Sequence, residues 1–193
     1  MSELTKAKGL HPRIEELLEH LDEHRAVLKD AVAHVAPFHK LPRSADGRWS
    51  VGEILDHVHR VESGFARLLA KRTAEARARG DAGETETSSI LGTVDSRMLT
   101  DRSRRISAPE MVIPREGATV EEGLAALASS RAAVHRALDD ANGVALGAIS
   151  HTHPVFGSLN LYQWGLVLGY HDARHAAQIR ELGDEARGVP PRR

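Results

Sequence analysis

Apolar residues recur with the 3.6-residue period of an α-helix in four long stretches of this chain, at about residues 12–35, 50–80, 119–140 and 159–183. The second and third stretches open with capping boxes, in which a serine or threonine is followed three residues later by a glutamate. These pairs are Ser50 with Glu53 and Thr119 with Glu122. Glycines are expected to end the second and fourth helices, at Gly80 and Gly183.

Residues 81–118, between the second and third helices, lose this period and are dominated by Gly, Ser, Thr, Pro and charged residues. Short apolar patches at residues 90–91 and 111–113 predict a long crossover that packs partly on the helices. Residues 143–158 are rich in turn formers. Four helices with little strand signal predict an all-α fold, a four-helix bundle in which the crossover lets helices two and three run parallel.

A chain of 193 residues can bury one full core, and we expect a single domain over residues 10–185 with flexible termini at 1–9 and 186–193. The formal net charge of -1 argues against a nucleic-acid-binding surface. The short run Arg102, Arg104 and Arg105 is interpreted as a solvated loop or an anion contact. No apolar run approaches the length of a membrane span, so we expect a cytoplasmic protein that acts on a small molecule.

Two histidines one turn apart, His171 and His175, lie within the apolar stripe of the fourth helix. The i, i+4 spacing places both rings on one side of the helix, where a single cation could reach a nitrogen of each. The alternative is a pair of hydrogen-bonded core histidines. Because the chain has no cysteine, any metal would be held by His, Asp or Glu.

A third metal ligand is expected, since three protein ligands with open positions are the usual arrangement of a catalytic site. The second helix offers His57 and His59. Both lie roughly 100° from the centre of its apolar stripe, on opposite flanks, so the periodicity does not choose between them.

Several motifs together resemble the DinB superfamily, which includes DinB and YfiT-like proteins, bacillithiol S-transferases and mycothiol-dependent maleylpyruvate isomerases. The similar segments are residues 49–57 (WSVGEILDH), residues 153–157 (HPVFG), and then Gln163-Trp164, His171, Arg174-His175 and Gln178. The resemblance implies an up-down-down-up four-helix bundle and a homodimer. It also implies a metal site formed by His57, His171 and His175.

Neutral imidazoles in a cysteine-free site suit Zn, Ni, Fe or Mn. The resemblance implies an enzyme that transfers a low-molecular-weight thiol, as cosubstrate, to an electrophile. The alternatives are a hydrolase of an amide or ester and a non-catalytic metal-binding stress protein. A hydrolase would need a general base. Glu62 faces the site better than Asp56 or Asp172, which adjoin the histidine ligands in sequence.

Other residues receive interpretations that the structure can check. We expect His153 to shape a turn or to line the pocket mouth, and Gln178 to hydrogen-bond to a ligand. His24 is interpreted as a partly buried core histidine, with a position facing the site as the alternative, and Arg174 as half of an ion pair. The tryptophans Trp49 and Trp164 are expected in the core, and the remaining histidines on the surface: His11, His20, His34, His39 and His135.

Overall fold

The structure, a computed structural model, describes residues 9–38, 40–43, 47–103 and 107–189. It is mostly helical, with helices α1 (Pro12–His34), α2 (Val51–Arg79), α3 (Ser96–Thr100), α4 (Val120–Asp140) and α5 (Leu161–Ala186). Strands β1 (Ser150–His153) and β2 (Gly157–Asn160) form an antiparallel hairpin. Three short 3₁₀ helices occur at Ala36–Phe38, Glu110–Val112 and Leu146–Ala148. His39, Arg104 and Arg105 lie outside the described residues.

The four predicted helices correspond to α1, α2, α4 and α5, and their ends follow local chemistry. Both predicted capping boxes form, and Gly80 ends α2 in the left-handed conformation, at φ 72°. The prediction for the last helix is wrong at both ends. Its start is Leu161 because Asn160 and Gln163 form a third capping box. Gly183 lies inside it, where a Cβ would lie 2.4 Å from Val35 Cγ1 and prevent the close packing of α1.

Contacts between the long helices define their relative directions. Along α1 and α5, His20 bonds to the Leu166 carbonyl and Val35 packs on Gly183, so these helices run in the same direction. Along α2 and α4, Leu55 packs on Gly123 and Glu62 pairs with Arg131, so these two are also parallel. Between α2 and α5 the order is reversed, since Arg48 before α2 pairs with Glu185 while His57 contacts His171.

The expectation of an exposed His20 is wrong. His20 is only 5% exposed, and its Nε2 lies 3.0 Å from the Leu166 carbonyl oxygen. The ring fits between α1 and α5 because position 169 is a glycine, where a Cβ would lie 2.3 Å from Nε2. His24 bonds to the His20 carbonyl and makes an edge-to-face contact with Tyr170, and it is not among the residues that line the cavity.

Two apolar clusters fill the interior, and a layer of four charged residues separates them. This polar layer consists of Arg25 from α1, Glu62 from α2, Arg131 from α4 and Asp172 from α5. Arg25 donates to Glu62 at 2.9 Å and to Asp172 at 2.8 Å. Arg131 donates to the same two carboxylates at 2.7 and 3.2 Å. Both carboxylates are fully buried, so each long helix contributes one charge to this layer, and Arg131 also reaches the exposed Asp22 at 3.1 Å.

The crossover contains α3 and one 3₁₀ helix, and it packs on the bundle through part of its apolar residues. Ile90 and Leu99 are buried, whereas Met111 is 83% exposed. Arg102 pairs with Glu181 of α5 at 2.5 Å. Within the described part of the chain, no helix is both long and apolar enough to cross a membrane.

Removing one member of the polar layer should destabilise the fold strongly, because it leaves a buried carboxylate without its full compensation. We expect Arg25→Met to lower the free energy of unfolding by about 3 kcal/mol or more, measured by urea denaturation. The matched control is Arg180→Met, which breaks the exposed pair with Asp30 and should cost less than about 1 kcal/mol. Equal losses in the two variants would contradict a structural role for the layer.

Candidate metal centre

Three histidines from two helices converge on one point. His57 comes from α2, and His171 and His175 come from successive turns of α5. Nε2 of His171 lies 3.1 Å from Nε2 of His57 and 3.1 Å from Nε2 of His175. These three residues form a cluster whose ligand atoms all lie within 4.8 Å of one another. The histidines predicted as ligands therefore lie together. Of the two candidates on α2, the cluster includes His57 and not His59.

Hydrogen bonds fix which nitrogen of two rings carries the proton. Nδ1 of His57 lies 2.8 Å from the Val112 carbonyl oxygen, which can only accept. Nδ1 of His175 lies 2.8 Å from Oε1 of Gln178, as expected for a residue that orients a ligand. In both neutral rings the proton is therefore on Nδ1, and the lone pair of Nε2 points toward the third histidine.

Burial keeps all three rings neutral. Desolvation lowers the pKa of His57 below its usual value. Desolvation and the neighbouring imidazoles lower the pKa of His171 and His175 much further. Protonation would place a positive charge in an apolar site beside two other rings, so the cluster presents lone pairs at neutral pH.

The donor set fits a divalent metal ion. The Nε2 lone pairs of His57 and His175 both face Nε2 of His171, which can donate at most one N–H. A cation bound among the three nitrogens would instead accept a lone pair from each. Ligands about 2.0–2.1 Å from a tetrahedral zinc lie about 3.3 Å apart, close to the observed spacing. Among the described residues, Nδ1 of His171 is buried without a hydrogen-bond partner, so the chain holds this ring less firmly than the other two.

A cavity of about 730 Å³ opens beside the cluster, and all three histidines line it. Its walls are largely apolar and aromatic, with Phe65 from α2, Trp164 from α5 and Phe156 from the hairpin. Trp49 and Trp164 pack against the apolar clusters, as expected, but both are only partly buried and also line this cavity.

Charged groups at the cavity are held by other parts of the chain. Glu181 is the sole carboxylate among the described residues that line it, and Arg102 binds its side chain. Arg174 also lines the cavity and donates a hydrogen bond to the Asp101 carbonyl oxygen.

The carboxylates considered as general bases lie elsewhere. Glu62 is wrong as a candidate, because it is fully buried in the polar layer and accepts from Arg25, Arg131 and Ser130. Asp172 belongs to the same layer, and Asp56 is bound by Arg60.

Comparisons with known proteins identify the family of this chain. A family model for the DinB superfamily matches residues 13–179, and the chain belongs to that superfamily. The chain is also similar to the uncharacterized protein YuaE of Bacillus subtilis (strain 168), with 27% identity over 149 residues, covering 71% of this chain and 78% of the relative. No solved structure matches the chain significantly.

Metal content should depend on the three converging histidines and not on their neighbour. We expect His57→Ala, His171→Ala and His175→Ala each to lose most of about one bound ion per chain, measured by elemental analysis of untagged protein. His59→Ala is the control and should keep the ion. Gln178→Ala should bind it about tenfold more weakly, because the His175 ring loses its acceptor. Loss of metal in His59→Ala but not in His57→Ala would overturn the ligand set.

Acid should destabilise the metal-free protein, because the buried rings bind protons less readily when folded than when unfolded. The unfolded state then takes up more protons below about pH 6.5, so stability falls as the pH drops through and below that value. In chelator-treated protein, His171→Leu should make this fall shallower by up to about 1.4 kcal/mol per pH unit. Unfolding curves between pH 7 and 5 measure it, with exposed His34→Leu as the control. Equal slopes in wild type and His171→Leu would contradict the expectation.

Proposed function

We propose that this protein is a metal-dependent enzyme that transfers a low-molecular-weight thiol to an electrophilic small molecule. In this proposal His57, His171 and His175 hold the metal, and the adjoining cavity holds the electrophile. The observation that carries the proposal is the position of three convergent imidazole nitrogens in the wall of a large, mainly apolar cavity.

The chain's own residues would hold the metal ion and position the electrophile beside it. The three imidazoles supply neutral nitrogen donors, and Val112 and Gln178 keep two of them turned toward the ion. A divalent cation in this position would act as a Lewis acid and lower the pKa of a thiol beside it, so that the sulfur is ionised at neutral pH. The aromatic walls would hold the apolar body of the electrophile and exclude water from the sulfur.

One feature favours a thiol over water as the nucleophile. The absence of cysteine is compatible with a sulfur nucleophile supplied by a solute but does not require one. A hydrolase would need a general base near the metal. Of the described cavity residues only Glu181 is a carboxylate, and its oxygens are occupied by Arg102. This supports the transferase over the hydrolase and over a purely structural site, which would normally be closed to solvent.

We also infer that the long helices form the up-down-down-up bundle that the family resemblance implies. Support comes from the parallel pairs α1 with α5 and α2 with α4, and from the opposite directions of α2 and α5. The single domain over residues 10–185, the homodimer and the cytoplasmic location stay predictions.

Cobalt substitution tests the proposed placement of the sulfur. Sulfur ligation to Co(II) adds intense near-ultraviolet charge-transfer absorption that nitrogen or oxygen ligation lacks. Titrating the Co(II) protein with bacillithiol, mycothiol or glutathione should produce this band with at least one thiol. His171→Ala should abolish the band and His59→Ala should retain it.

Turnover of a panel of electrophiles, with and without the same thiols, distinguishes the alternatives. Turnover only in the presence of a thiol supports the transferase. Turnover with water alone selects the hydrolase. Absence of the band with every saturating thiol, together with no turnover, would leave a non-catalytic metal-binding protein.

A further inference from the structure

His153 lies at the end of β1, where its ring forms part of the cavity wall. Nδ1 of this ring accepts hydrogen bonds from the backbone N–H groups of Val155 at 3.1 Å and Phe156 at 3.3 Å. A nitrogen that accepts from two backbone donors carries no proton. In the neutral ring the proton is therefore on Nε2, at the opposite edge from the turn.

The same ring stays neutral and is held in place. Burial lowers the pKa of His153 to about 4, so it is uncharged at physiological pH. It contacts Trp164, at 4.4 Å between ring centroids, and Phe156, at 4.8 Å, with both pairs of rings tilted. No described residue accepts a hydrogen bond from Nε2. The hairpin thus presents one oriented, unused N–H donor in an otherwise aromatic part of the cavity.

The donor lies close to the metal centre. A charge on His153 would be near enough to His171 to lower the pKa of that ligand further, although the two rings are not in contact. Both residues line the same cavity, together with the aromatic rings that flank His153. A ligand that lies in this cavity between the cluster and His153 would have one end near the cluster and an acceptor atom at Nε2 of His153.

We propose that the His153 Nε2–H donates a hydrogen bond to an oxygen of the substrate, and that the cavity takes electrophiles with a planar apolar body and such an acceptor oxygen. This inference rests on the proposed function for its chemistry and assigns His153 as the residue that selects the substrate class. The turn-shaping role expected from the sequence uses Nδ1, so one ring serves both purposes.

The chemistry of thiol transfer makes this donor useful. When a thiolate attacks a nitro-activated aryl chloride, the carbon–sulfur bond forms and an electron pair moves from the ring onto a nitro oxygen. The pair on the nitro oxygen then returns to the ring as chloride leaves with the carbon–chlorine bonding pair, and the proton lost when the thiol ionised has gone to solvent. A fixed N–H donor at the oxygen stabilises the charge that develops there.

Two variants of His153 separate its two hydrogen-bonding roles. In His153→Asn the side-chain oxygen can still accept from the backbone N–H two residues on and preserve the turn, but the side chain does not reach the Nε2 position. The glutamine side chain of His153→Gln is longer and should restore part of the donor.

Long-range ¹H–¹⁵N spectra of histidine-labelled protein should show Nε2 of His153 protonated and Nδ1 unprotonated in the wild type. The opposite tautomer would overturn the proposal.

Binding of two isosteric probes tests the donor without any turnover. Acetophenone offers an acceptor oxygen where α-methylstyrene has a CH₂ group. We expect the wild type to bind acetophenone about fivefold more tightly, the factor for one net hydrogen bond, as measured by NMR titration. His153→Asn should show no preference, and His153→Gln should regain part of it. A preference that is absent in the wild type, or undiminished in His153→Asn, would overturn the proposal.

Thiol-dependent turnover of 1-chloro-2,4-dinitrobenzene and of benzyl chloride, which has no acceptor oxygen, separates this inference from the proposed function. His153→Asn should lower kcat about tenfold or more for the first substrate only. A merely structural role would lower both equally and overturn the inference. If the wild type shows the probe preference but no thiol turnover, the donor stands and the transferase falls. If turnover occurs without the preference, the transferase stands and the donor falls.

Discussion

The polar layer is the constraint on which the arrangement of this protein depends. Arg25, Glu62, Arg131 and Asp172 each come from a different long helix, and each carboxylate is fully buried between two guanidinium groups. A buried charge that loses its partner is costly, so sliding any one helix along its axis would break several pairs at once. Apolar contacts tolerate small shifts in a way that this network does not. The layer therefore sets the register of the four helices.

That register also places the three candidate metal ligands. Asp172 follows His171 directly, and neighbouring helix positions point about 100° apart. When Asp172 is held in the layer, His171 is turned toward the cavity, and His175 lies one turn further along. On α2, His57 lies five positions before Glu62, which places the two side chains about 140° apart around the helix. A network that stabilises the interior thus also orients both helices that carry the cluster.

Much of the fold could be predicted from local sequence signals, because capping boxes and helical periodicity act within a few residues. The bounds of the last helix were predicted incorrectly. Its start is set by a capping box formed by Asn160 and Gln163, and Gly183 packs against Val35 instead of ending the helix. The hairpin escaped prediction because its four-residue strands are mostly exposed and carry no apolar alternation.

The pair His171 and His175 was predictable from its spacing, but the choice of His57 needed the family resemblance, since periodicity left His57 and His59 equivalent. The polar layer was missed, although a signal exists. Each of its members follows an apolar residue of the buried stripe by four positions, after Leu21, Val58, Leu127 and Leu168. One charge on the buried face of each of the four long helices, two positive and two negative in all, indicates a shared network. The cavity and the role of the Val112 carbonyl depend on tertiary packing, which no local pattern encodes.

The contact between His57 and Val112 has a consequence for how such a protein can diversify. The crossover supports the ligand through a backbone oxygen, which every amino acid possesses, while its Met111 side chain projects outward. Substitutions along this segment can therefore reshape the cavity rim without altering the support of the ring. The shape of the cavity rim can therefore change through side chains of this segment while the histidine cluster and the interior stay the same.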